Sequence, residues 1–152
     1  MGAKWKQAAV LLLLVPAAIQ VWRPHRTNPP TDPAETIEAV MPAAQPAVAA
    51  MNRACRDCHS NGTNWPWYSH IAPVSWLVVR DVVEGREAVN FSKWATYDPA
   101  RRQKLLKEAC SEVREGEMPL RLYRWQHPEA SLTPADVDAV CQAADLGEAS
   151  GG

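Results

Sequence analysis

The stretch richest in chemistry is "ACRDCHSNGTN" at residues 54–64, where Cys55 and Cys58 stand three apart and His59 follows directly. Three chemistries use these residue types: a zinc site, a redox dithiol, and the covalent attachment of haem c. The last has a stereochemical logic. Two thiols about one helical turn apart reach the two vinyl groups of the porphyrin, and the adjoining imidazole then lies beneath the iron. Zinc would need a second ligand pair at comparable spacing. The remaining cysteines, Cys110 and Cys141, are far apart in sequence with no histidine beside either. A thioredoxin-like dithiol wants a βαβ setting, and no convincing strand is legible. The motif therefore points first to one covalent haem c, with Cys55 and Cys58 as attachment points and His59 as iron ligand. Zinc and a dithiol remain as alternatives.

A second axial ligand has to come from elsewhere, and a thioether is a common partner of histidine in c-type haem proteins. Of the four methionines, Met1 and Met41 fall in the N-terminal tails and Met51 precedes the motif on the same helix. Met118, in "EGEMPLRLY", follows a helix stop at Gly116 and precedes Pro119, which restrains the backbone that would present its sulfur. Met118 is thus the candidate distal ligand, with His70 and His127 as rivals. Trp65, Trp67 and Tyr68, in "NWPWYS", offer rings to line a haem face and N–H or O–H donors for propionates. One of the two tryptophans is expected to touch the haem.

Four helices are expected to position these groups. The first runs from about Pro46 to Cys58, and the second from Pro73 to a stop at Gly85. The third runs from the Asp98 cap and Pro99 to Gly116, the fourth from the Thr133 cap through the "TPAD" start. Leu106, Ala109, Cys110 and Val113 share one face of the third, and Val137, Val140, Cys141 and Ala144 one face of the fourth. Cys110 and Cys141 are either buried thiols or, in an oxidising compartment, a disulfide closing a loop of about 30 residues, which chain entropy makes worth about 3–4 kcal/mol. The third helix carries Arg101, Arg102 and Lys104 near its positive end and Glu108, Glu112, Glu115 and Glu117 near its negative end. That placement is unfavourable to the helix dipole. It reads as a solvated face, with contacts to haem propionates or an acidic redox partner as the functional alternative.

Composition supports a bound group. Between residues 50 and 147 the chain has only 18 Ile, Leu, Val and Phe together, and the whole chain has seven tryptophans against a single Phe. A small domain this poor in aliphatics usually completes its core with a disulfide, a metal or a large cofactor. The net charge of −1 gives no sign of a nucleic-acid surface. At the N-terminus, Lys4 and Lys6 precede an apolar run ending at Val21, with Arg23 and Arg26 beyond. Trp5 and Trp22 bracket it like interfacial anchors, and the helical rise between them is roughly 26 Å, enough for a thin hydrocarbon core. An uncleaved anchor, a cleaved signal segment and a buried soluble helix are the readings of residues 1–22. Pro24, Pro29, Pro30, Pro33, Pro42 and Pro46 mark residues 23–49 as an extended tether, leaving 50–147 as the haem-binding domain.

"CRDCHSNGTNWPWYSHIAPVSWLVVRDVVEGREAVNFSKW" followed by "GEMPLRLYRWQHPEASLT" resembles the bacterial haem-binding domain family, membrane-tethered proteins similar to cytochrome c. The resemblance spans about residues 50–146, with "IQVWRP" similar in addition. It implies haem c rather than zinc, and names neither a substrate nor an electron partner. Asp81 stands where many relatives are expected to have histidine, which shifts weight onto Met118. The resulting expectation is an all-α, cytochrome c-like domain around one covalent haem, on the periplasmic side of a bacterial cytoplasmic membrane. It would exchange single electrons with redox partner proteins. A haem-based sensor or weak peroxidase with a labile Met118 bond is the alternative.

Overall fold

The computed structural model describes residues 2–149, and among them every regular element is helical. The first helix, α1 (Gly2–Ile19), carries the apolar run, and its residues from Lys4 to Ala18 are exposed. Among the described residues no helix is long and apolar enough to cross a membrane.

The proline-rich stretch does not hold the domain at a distance. Residues 22–30 run along its surface, pinned by Arg26 to the Ser69 carbonyl, by Asn28 to that of Thr63, and by Asn61 to that of Pro30. Beyond them the chain turns helical. Asp32 caps a 3-10 turn at Pro33–Glu35, and Thr36 caps α2 (Ile37–Val40), whose Ile37 is fully buried. A second 3-10 turn, Pro42–Ala44, leads into α3 (Gln45–Ala54). Pro33, Pro42 and Pro46 all lie in first turns, where the missing amide costs nothing. These prolines start helices rather than excluding them, and the expected domain boundary at residue 50 falls inside α3.

The helix expected over Pro46–Cys58 breaks at Cys55 (φ −121°, ψ −21°) and resumes as α4 (Arg56–His59). The second expected helix, α5 (Val74–Ala88), passes through Gly85 instead of stopping there. A Cβ at Gly85 would lie 2.7 Å from the Cys58 carbonyl oxygen, so this glycine marks where α5 crosses α4 at backbone contact. The third, α6 (Pro99–Glu115), begins as expected, the Asp98 carboxylate accepting from the Arg101 amide at 2.8 Å. It ends at Gly116, whose φ of 74° is the left-handed geometry that favours glycine. A short helix that sequence periodicity did not reveal, α7 (Arg121–Gln126), follows the Met118 loop. The last, α8 (Pro134–Ala149), opens with a reciprocal cap: Asp136 N–H donates to Thr133 Oγ1, and Thr133 N–H to the Asp136 carboxylate.

Helices α3 and α6 both pack on α8, and Cys110 and Cys141 join α6 to α8 as a disulfide. Ile37, Val48, Met51, Leu105, Leu106 and Val140 meet in the core around Trp94, which is 1% exposed. A tryptophan at the centre accounts for how so few aliphatics suffice, since one indole buries more apolar area than any of them.

Candidate functional site

Beside this core lies a cavity of about 370 Å³, within the usual range for cofactor sites. Its walls come from Met51 and Cys55 on or after α3, His59 on α4, Ala88 at the end of α5, Val89, Phe91 and Trp94 after it, one face of α6, the Met118 loop, Leu132, and Val140 on α8. The lining is apolar except for His59, Glu108 and Glu112.

His59 is set for metal ligation by its backbone partner. Its Nδ1 lies 2.9 Å from the Gly85 carbonyl and 3.4 Å from that of Val89. A carbonyl only accepts, so Nδ1 carries the proton and the Nε2 lone pair is left free on a ring that lines the cavity. Burial lowers the imidazole's pKa despite those two bonds, which favours the neutral form a metal requires. Burial also pushes the Cys55 thiol up to about 12, with Cys58 beside it adding to the effect. Cys58 is raised to about 11, again by burial first and then by the charges of Asp81 and Asp57.

A buried polar lock holds this motif in place. Asn90 Nδ2 donates to Asn61 Oδ1 at 2.8 Å, the Asn61 amide to Ser92 Oγ at 3.0 Å, and the Ser92 amide to Asn90 Oδ1 at 3.0 Å. The guanidinium of Arg86 bonds the Ser60 carbonyl, Thr63 Oγ1 and the Thr27 carbonyl. The "CHSN" and "NFS" segments are therefore the two halves of one hydrogen-bonded unit whose product is the position of His59.

Of the sequence candidates, Cys55, His59 and Met118 come together on this cavity. The Met118 loop is held by its own amide, which with that of Glu117 donates to the Glu112 carbonyl as Gly116 closes α6. Cys58 is not in the lining. It lies at the crossing of α4 and α5, between Gly85 and Asp81. Neither rival histidine lines the cavity: His70 is exposed, and His127 bonds Tyr68 Oη at 2.8 Å, bonds Glu129 at 3.1 Å and stacks on Tyr123. Trp65 and Trp67 do not line it either. Trp65 donates to Asn28 Oδ1, and Trp67 is 73% exposed. The tryptophan at the cavity is Trp94, whose buried Nε1 has no partner among the protein atoms. Nor do the α6 arginines reach it: Arg102 bonds the Trp94 and Ala95 carbonyls, and Glu108 and Glu112 are the α6 charges that line it. Asp81 pairs with Arg80 and lies outside the lining.

Gly85, Asn61, Asn90, Arg86 and Trp94 are the residues of this candidate site that sequence reasoning missed. All lie inside the quoted family segments, but periodicity assigns no role to an isolated Gly, Asn or Trp. The residues present fit a haem: an imidazole with a free Nε2, a thioether and a thiol on the same apolar cavity, and an unpaired indole N–H.

A family model described as haem-binding domain matches residues 14–145 of the chain. No curated protein and no solved structure matches.

Proposed function

The chain belongs to the haem-binding domain family, and we propose that it is a monohaem c-type cytochrome that transfers single electrons. Cys55, on the cavity wall, and Cys58, at the α4–α5 crossing beside it, would hold the haem through thioethers, each S–H having added across one vinyl C=C. His59 and Met118 would hold its iron. The observation that carries the reading is the meeting of Cys55, His59 and Met118 on one apolar cavity, with the His59 tautomer set by the Gly85 carbonyl. When bound, the haem supplies reversible Fe(III)/Fe(II) chemistry. With His59 and Met118 both holding the iron, no position would be left open for substrate, which favours electron exchange with a redox partner protein over sensing or peroxidase chemistry. The domain works on the periplasmic side of a bacterial membrane, with α1 as its membrane segment. The disulfide between Cys110 and Cys141 suits that oxidising compartment.

Chain purified from a host with cytochrome c maturation should give a c-type pyridine haemochrome and keep its colour through acid–acetone extraction. Replacing Cys55 and Cys58 together by Ala should abolish both. Colour that extracts freely from the unaltered chain rules out covalent attachment. Reduced protein should bind carbon monoxide slowly or not at all; rapid binding would move the function to sensing or catalysis.

A further inference from the structure

The domain is fastened to the end of α1 at one corner. Gln20 bonds the backbone of Ala72 in both directions, its amide donating to the Ala72 carbonyl at 2.9 Å and its carbonyl accepting from the Ala72 amide at 3.0 Å. Trp76 Nε1 donates to the Trp22 carbonyl at 2.7 Å, and Arg23 to that of His70 at 2.8 Å. These bonds tie the end of α1 to the turn that leads into α5. The same turn and the first coils of α5 expose an apolar group: Ile71 (45%), Val74 (43%), Trp76 (42%) and Leu77 (36%), next to Trp22 (83%).

We propose that this corner rests on a lipid bilayer, so that the domain sits on the membrane in one orientation instead of swinging on a tether. The inference rests on the reading that α1 is a membrane segment. Its apolar run, Ala8 to Ile19, is apolar on every side and uncovered by the domain, as a lipid-facing helix would be. That run rises only about 18 Å against a hydrocarbon core of about 30 Å. A short hydrophobic segment draws its flanks toward the bilayer, and the flank here is the bonded corner with Trp22, Trp76 and Ile71. Two indoles at the water–lipid boundary match the usual placement of tryptophan, with Arg23 and Arg26 at phosphate level. The face is continuous with α1 through the Gln20–Ala72 pair, which singles out lipid as its occupant.

The test uses the full haem-loaded chain with vesicles of phosphatidylethanolamine and phosphatidylglycerol, read by flotation and by amide hydrogen exchange. The chain should float, and amides of residues 68–78 should exchange about tenfold more slowly on vesicles than in solution, while those of α6 stay unchanged. Replacing Ile71, Val74 and Leu77 together by Ser should remove that protection and leave flotation through α1 intact, with the haem spectrum confirming the fold. Flotation without slowed exchange at 68–78 overturns the resting face and leaves the anchoring reading standing. Failure of the chain to float overturns both. Protection of 68–78 that appears without lipid and grows with protein concentration assigns the face to a second copy of the chain and also overturns the proposal.

Discussion

Replacing Gly85 with Ala perturbs the site without removing any side chain that would hold the cofactor. The new Cβ would stand 2.7 Å from the Cys58 carbonyl oxygen, 3.1 Å from its carbon and 3.1 Å from its Cβ. Two of those three atoms are backbone and cannot rotate away, so α5 has to move off α4. Such overpacking costs about 1–3 kcal/mol. As α5 moves it carries the Gly85 carbonyl away from His59 Nδ1, and weakening that bond costs about 0.5–1.5 kcal/mol. Opposing both is the helix preference for Ala over Gly, about 1 kcal/mol. The net loss is about 1–3 kcal/mol, which for a chain of this size lowers Tm by about 3–10 °C. Thermal unfolding of the holo-protein, followed by far-UV circular dichroism and the Soret band, measures the loss. The ferric electron paramagnetic resonance spectrum reports whether the His59 imidazole has shifted. Glu87→Ala, an exposed change on the same helix, should stay within about 0.5 kcal/mol of the parent. A Gly85→Ala protein with an equal or higher Tm and an unchanged imidazole signal would refute the close approach of α4 and α5 as the device that sets His59.

Three further outcomes are expected. Met118→Ala should erase the weak sulfur–iron band at the red edge of the ferric spectrum and open the reduced iron to carbon monoxide, whereas His70→Ala and His127→Ala should leave the band in place; an unchanged Met118→Ala spectrum removes Met118 from the iron. Cys110 and Cys141 should resist alkylation until a reductant is added, and Cys110→Ala should cost about 3–4 kcal/mol in denaturant unfolding. Asp136→Ala should cost about 1 kcal/mol at neutral pH by deleting the reciprocal cap. The Asp136 carboxyl is held below its usual range, first by the Thr133 amide and then by the Thr133 hydroxyl and Arg53. Its contribution is therefore complete above the ordinary carboxylate pKa and lost as pH falls through the lowered one, so the gap between variant and parent should close in acid.

Local signals were enough for the parts of this protein whose cause is local. Asp98, Pro99 and Gly116 bound α6 because capping, first-turn proline and a left-handed stop are settled within a few residues of chain. The apolar faces of α6 and α8 likewise bring Cys110 opposite Cys141, as periodicity predicts. Reading failed where the deciding partner is remote. Gly85 reads locally as a stop, and only the crossing with α4, whose His59 lies 26 residues before it in the chain, makes it the contact that orients the imidazole. The prolines of residues 23–49 suggested an open tether, because composition cannot say that Ile37 has a core to enter. Nearness to the motif in sequence favours Trp65 and Trp67, yet the cavity takes Trp94. Caps, stops and motif spacing are free-energy choices made within a turn or two of chain. Which glycine is touched, which tryptophan is enclosed and which side chains share the cavity depend on packing between segments tens of residues apart, and those were decided only in three dimensions.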